Sequence, residues 1–229
     1  MVNPTPNQTQ TQQIHAANNI VNHYKALKSE ESSEIDREQS KQLVQMLDED
    51  FPTESEERMK HREQTLKELK GYLLEWIVEM GTDAKMTEAA AKATGGDLIT
   101  FGSYALGVVS KLSDIDAVCV APMHCSREQF FESFVPKLEE MDNVKEVQAL
   151  PDAYTPIVKL QMNDIDIDLL FARLHSEKVE GDIAKMEDGK LLQNMDDRSV
   201  RSINGCRVAA KILEQVKNKK SFEVVLRFI

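Results

Sequence analysis

The polar and apolar positions of this 229-residue chain change period twice. Residues 1–30 are rich in Gln, Asn and Thr and show no apolar period, so a disordered polar tail is expected there. Ser32 and Ser33 are helix-start residues ahead of an apolar stripe at Leu43, Val44 and Leu47. Pro52-Thr53 restarts the chain, and Thr53 with Glu56 has the spacing of a capping box. Leu66, Leu69, Leu73, Ile77 and Met80 then recur at helical spacing, with Trp76 as core, and Gly81 is expected to end this long amphipathic helix. A short Ala-rich helix over Thr87–Lys92 should close at Gly95-Gly96.

From here the period is that of strands. Leu98–Phe101 is a short apolar run leading into Gly102-Ser103, and 113–120 alternates until Pro122 stops it. Helical spacing returns over 127–141, with Phe130, Phe131, Phe134 and Leu138 on one side. Residues 144–150 and 157–162 read as further strands. The strongest strand covers 165–171: Ile165, Ile167 and Leu169 face one way, Asp164, Asp166 and Asp168 the other. After His175 the pattern is helical again, through Leu191-Leu192 and 203–216, and another apolar element begins at Ser221. Helices, a mixed strand-rich unit and more helices predict an α+β fold, a mixed sheet with flanking helices. The expected organisation is a tail over 1–30, N-terminal helices over 31–81, a mixed strand-rich domain over 82–175 and helical material over 176–229.

Composition narrows the class. Hydrophobic residues make up 41% and charged residues 29%, enough to build a core. No apolar run approaches the ~18 residues of a membrane span, and Met1–Gln13 lacks the apolar stretch of a secretory signal, so no membrane partner is expected. Cys119, Cys125 and Cys206 have no paired spacing and read as structural thiols. His61, His124 and His175 are isolated, so no histidine metal site is expected. The net charge is −11, but basic residues dominate near the end, where Arg198, Arg201, Arg207 and Lys211 suggest either a solvated face or one wall of a phosphate cleft.

The candidate chemistry lies where Phe101-Gly102-Ser103 is followed, ten residues on, by Ser113-Asp114-Ile115-Asp116. On a strand, residues two apart share a face, so Asp114 and Asp116 present their carboxylates together while Ile115 packs behind. Asp168 on a neighbouring strand would make three. Two carboxylates ~5 Å apart repel by roughly 3 kcal/mol at an effective dielectric of 20, so such a cluster calls for a cation. All-oxygen ligands select a hard one: Mg²⁺, with Mn²⁺ as the alternative. Glycine allows the backbone to approach a phosphate closely, and the Ser103 hydroxyl can donate to it. Val108-Val109 stands where a Walker A loop needs Lys-Ser/Thr, and no dinucleotide-binding glycine pattern is present.

Ile99–Tyr104, Leu106–Val108, Ser113–Pro122, Ile165–Arg173 and Arg201–Arg207 together resemble the eukaryotic poly(A) polymerases, over about residues 34–229. The resemblance implies a polymerase β-like nucleotidyltransferase domain that transfers AMP from ATP to an RNA 3′ end with Mg²⁺. It implies nuclear work in mRNA 3′-end processing, with processing proteins as partners. By position, Asp114, Asp116 and Asp168 match the catalytic, metal-binding acids. Phe101, Gly102, Ser103, Ser110, Asp114, Ile115, Asp116 and Asp168 make up the nucleotide site, with Ser110 where the family usually has threonine. Asp166 shares the face of Asp168, and the residues alone leave its role open. Family members continue into central and RNA-binding domains, so a truncated chain is expected. A short form that binds nucleotide or processing partners without turnover is the alternative.

Overall fold

The computed structural model describes residues 31–185 and 191–229. The expected N-terminal tail therefore lies outside the described residues, as do 186–190 within the helical stretch expected after His175. The chain divides into two units between Leu43 and Val44, inside the first helix. Everything below belongs to the second unit, apart from the first part of that helix.

Helix α1 spans Glu34–Asp50, and Ser33 caps it by accepting from the N–H of Asp36. Helix α2 runs Glu56–Asp83. Its cap is Ser55, which accepts from the Arg58 N–H, so the capping box expected at Thr53 and Glu56 does not form. Thr53 instead makes an isolated antiparallel bridge to Ser110. Gly81 does not end α2 either. It is buried within the helix, where a Cβ would lie 2.6 Å from that of Ala91 on α3 (Glu88–Lys92), so the missing side chain serves close helix approach.

Strands β1 (Asp97–Thr100), β2 (Ile115–Ala121), β3 (Val144–Leu150), β4 (Ile157–Met162) and β5 (Ile165–Arg173) form one sheet in the order β1-β2-β5-β4-β3. The β2–β5 pair is parallel and the others antiparallel. Between β1 and β2 lies the short helix α4, Gly102–Leu106. Helix α5 joins three segments, Arg127–Gln129, Phe130–Phe134 and Val135–Glu139, the middle one a π-turn. Pro136 has no N–H to give the regular ladder, which accounts for the irregularity. A 3₁₀ turn at Ile183–Lys185 and helices α6 (Asp197–Gln215) and α7 (Lys219–Phe228) follow.

Alternation along β2 and β5 divides the core into two layers. Ile115, Ala117, Cys119, Ile167, Leu169 and Phe171 pack against Leu73, Trp76, Ile77 of α2 and Phe130, Phe134 of α5. The opposite face, with Val118, Val120, Leu170 and Ala172, packs on Ile203 and Cys206 of α6. Trp76 is core as expected, its ring edge-on to Phe130 and its Nε1 donating to Ser133. All three cysteines are buried and free, and burial pushes the Cys125 and Cys206 thiols up to about 12.

The turn between β4 and β5 is two residues long. Asn163 and Asp164 both have positive φ (52° and 58°), the backbone of a tight hairpin. Asp164 therefore leaves the strand face on which alternation placed it and pairs with Lys145. The turn is tied to α2, since the Asn163 amide donates to Thr65 and Glu68 and its carbonyl meets His61 Nε2. Helix α7 buries no residue fully, yet its Arg227 donates to the carbonyls of Leu47 and Phe51 and to Asp48, satisfying the end of α1.

Gly81→Leu should lower the melting temperature, because any Cβ there strikes Ala91. Overpacking of this kind costs about 1–3 kcal/mol, and thermal denaturation followed by circular dichroism checks it.

Candidate active site

The site starts where β1 ends. Gly102 has φ +61°, and a Cβ on it would sit 2.1 Å from Asp116 Oδ2. Both facts require glycine: the backbone is left-handed and the space beside it is filled by a carboxylate. The Phe101 N–H donates to the Asp116 carbonyl (3.0 Å), joining β1 to β2 at this level. The Phe101 ring lies against Gly205 of α6, where a Cβ would meet Cδ2 at 2.7 Å. Ser103 is in the first turn of α4, whose N–H groups have no partner within a helix. Its carbonyl accepts from Val108. Tyr104 packs against the core, and burial, then the charge of Glu63, pushes its hydroxyl up.

Asp116 and Asp168 are register partners across the parallel β2–β5 pair, and Lys159 of β4 is the partner of Asp168 on its other side. Three adjacent strands thus carry Asp116, Asp168 and Lys159 in one row, with neighbouring strands ≈ 4.8 Å apart. Lys159 Nζ donates to Asp168 Oδ2 at 2.6 Å. Asp114 lies one residue before β2 rather than in it, close enough to raise the Asp116 carboxyl. Burial is the largest cause of that rise, followed by Asp114 and then Asp168, with Lys159 opposing. The Lys159 ammonium is held above its ordinary range, first by its bond to Asp168 and then by the three acids.

The other expected residues are placed differently. Ile115 is fully buried in the core, so only its backbone faces the site. Ser110 sits on the loop between α4 and β2, its hydroxyl paired with that of Ser113 at 3.0 Å. Asp166 shares the parity of Asp168 but is exposed and accepts from Gln161. Arg201 donates to the Tyr154 carbonyl and lies 4.2 Å over its ring. Lys159 was missed by sequence reasoning, although its register follows from the two-residue turn, since 162 pairs with 165 and so 159 with 168.

Among the described residues no three His, Cys, Asp or Glu side chains stand together as a group that could hold a metal ion. The donors nevertheless fit a hard cation. They are carboxylates that repel one another, and an ammonium is drawn to them where positive charge is needed.

A mixed sheet with paired carboxylates on adjacent parallel strands, and a glycine turn pressed against one of them, defines a nucleotidyltransferase-type catalytic domain. The chain belongs to the poly(A) polymerase nucleotidyltransferase domain family, matched over residues 25–216. It is 41% identical over 178 residues to the poly(A) polymerase pla1 of Schizosaccharomyces pombe, covering 78% of this chain and 31% of that protein. It is 37% identical over 187 residues to the poly(A) polymerase PAPalpha of Candida albicans, covering 82% and 33%. The chain thus spans about a third of the length of these curated relatives. A crystal structure of the Cid1 poly(U) polymerase aligns with 59% of this chain and 36% of its own, at TM-score 0.41 and 20% identity.

Two substitutions test this geometry. Gly102→Ala should fold less stably, since positive φ alone costs on the order of 1 kcal/mol, and thermal denaturation checks it. Asp116→Asn should melt higher than the parent at pH 7. A carboxyl raised on folding adds most stability below its unfolded value, ~3.9, and that contribution is lost as pH rises through the folded value. The variant's advantage should therefore vanish near pH 3. An added divalent cation should raise the melting temperature of the parent more than that of the variant.

Proposed function

We propose that this domain adds AMP from ATP to RNA 3′ ends without a template. The observation that carries this is the pairing of Asp116 with Asp168 beside the Gly102 turn, in a member of the poly(A) polymerase nucleotidyltransferase family. The RNA 3′-hydroxyl oxygen attacks the α-phosphorus of ATP. The bond from that phosphorus to the oxygen bridging to the β-phosphate breaks, pyrophosphate leaves, and the hydroxyl proton passes to solvent.

Asp114, Asp116 and Asp168 are the catalytic acids on this reading and would hold divalent cations, Mg²⁺ first, which would supply charge neutralisation at the attacking hydroxyl and the leaving pyrophosphate. The chain's own residues do the positioning. Gly102 makes the left-handed turn against Asp116 that presents the Ser103 N–H and hydroxyl to phosphate oxygens. Ser110 lies four residues before Asp114, where its hydroxyl can exchange Ser113 for a triphosphate oxygen. Lys159 faces the same row and holds the Asp168 carboxylate in place through their ion pair. Catalysis of this kind is mostly placement and charge neutralisation.

Residues 82–175 carry the chemistry on this reading, and 176–229 open the helical region that follows. It also assigns the protein to nuclear mRNA 3′-end processing, with RNA and processing proteins as partners. Matching of residues 25–216 to the family supports the class of reaction, and comparison of the four nucleoside triphosphates decides the base.

Asp114→Ala with Asp116→Ala should reduce incorporation of labelled ATP into an oligo(A) primer by at least ~10³-fold. Incorporation at the parental rate by the double variant refutes the assignment. A parent that binds ATP with Mg²⁺ but extends no primer supports a nucleotide-binding domain without turnover.

A further inference from the structure

Ser110 and Asp114 sit on a loop with little regular structure of its own, yet one of them is to meet a triphosphate and the other a metal ion. The loop from Gly107 to Ser113 is held from outside. The Glu54 N–H donates to the Val109 carbonyl at 2.8 Å, and Thr53 pairs with Ser110. Behind this splice lies a buried ion pair. Arg62 is 1% exposed, and its Nε and Nη2 both donate to Glu54 Oε2, at 3.1 and 3.0 Å. Nη2 also reaches the Ser110 carbonyl at 3.5 Å, the same carbonyl that accepts from the Ser113 N–H. Arg58 adds a further bond to Glu54 at 3.3 Å. Burial pushes the Glu54 carboxyl up, but the bonds from Arg62, Ser55 and Arg58 outweigh it and hold the group below its ordinary range.

We propose that Arg62 is a positioning residue for the nucleotide, acting through Glu54 and the Ser110 carbonyl to set the loop that carries Ser110 and leads to Asp114. The inference rests on the nucleotidyl-transfer reading, in which Ser110 meets the triphosphate.

Three observations support a role beyond filling the core. Arg62 Nη1 is buried and without a partner among the described residues. A buried guanidinium with an unmade bond is a costly way to fill space, since an apolar side chain of similar volume incurs no such penalty. The contact with Ser110 needs a forked donor that can serve a carboxylate and a carbonyl together, which a lysine ammonium on its single stem does poorly. The loop is also gripped at its other end. Gly107 has φ +80°, and a Cβ on it would lie 2.9 Å from Glu223 Oε1 of α7. The same helix reaches the end of α1 through Arg227, a few residues before Thr53. Loop, Thr53–Arg62 segment and α7 therefore form one connected set of contacts around Ser110.

The test uses the 229-residue chain with two variants, so that a folding failure in one does not end it. Arg62→Lys keeps the charge opposite Glu54 and loses the fork. Glu54→Gln with Arg62→Met removes both charges together and leaves neither unpaired. Native-state hydrogen exchange at the amides of Val108, Ser110 and Ser113 reads the clamp directly. We expect it to quicken about tenfold, the factor made by ~1.4 kcal/mol, while amides of α5 keep parental rates. Affinity for ATP with Mg²⁺ should fall by a similar factor, and Ser110→Ala should add little on top of Arg62→Lys. Loop amides that exchange at the parental rate in both variants overturn the proposal. So does uniform quickening across all amides, or a Ser110→Ala effect that is fully additive. A parental chain that takes up no ATP refutes the functional reading instead and takes the nucleotide role of Arg62 with it, the exchange rates alone then deciding whether the clamp exists.

Discussion

Setting Asp116 beside Asp168 on adjacent parallel strands forces like charges together, and much of the surrounding structure bears on that conflict. Burial makes it worse for Asp116, and Asp114 adds to it. Relief comes from the next strand, where Lys159 meets Asp168 at 2.6 Å. The tension is local, since the reverse faces of β2 and β5 bury Ile115, Ile167 and Leu169 in a well-packed layer under α2. A rigid apolar support behind and unsatisfied charge in front is the arrangement expected of a site that binds cations. The protein holds its acids in place whether or not their charge is fully compensated.

Much of this could be read from residue patterns. Alternation in β5 put Asp168 on the face opposite Ile167 and Leu169, and the five strands appear within two residues of where their periodicity set them. The errors have physical causes. Thr53 and Glu56 match the capping-box spacing, but Ser55 is nearer the start of α2 and Thr53 is taken up in a bridge to Ser110, a long-range contact that local spacing cannot show. Gly81 looks like a helix terminator until Ala91 is seen to occupy the space beside it. Asp164 carries the right parity for a third acid on β5, yet the tight turn takes it out of the strand. Asp114 likewise escapes the i, i+2 argument by lying before β2, although it still acts on Asp116.

What could not be read were pairings across long separations. Lys159 looks like any outward-facing strand lysine until the strand order places it against Asp168. Phe101 stands in the motif as a nucleotide contact, while its ring leans on Gly205 more than a hundred residues away. The ion pair of Glu54 and Arg62 joins a residue just before α2 to one on its second turn, in a stretch rich in charged residues, and both side chains are almost wholly buried. Burial of that kind depends on what covers the helix face, and the covering loop comes from 107–113.

The Asn163-Asp164 turn has a consequence for which changes of chain length this protein can absorb. It is pinned to α2 through Thr65, Glu68 and His61, so β4 and β5 cannot slide past one another to accommodate an added or missing residue. Strand side chains alternate, so a shift of one position turns a residue to the opposite side of the sheet. A single-codon insertion or deletion at this hairpin would thus bring an apolar neighbour where Lys159 now meets Asp168. It would disable the charge pairing and, by the same flip, turn the core side chains of the shifted strand out of the hydrophobic layer.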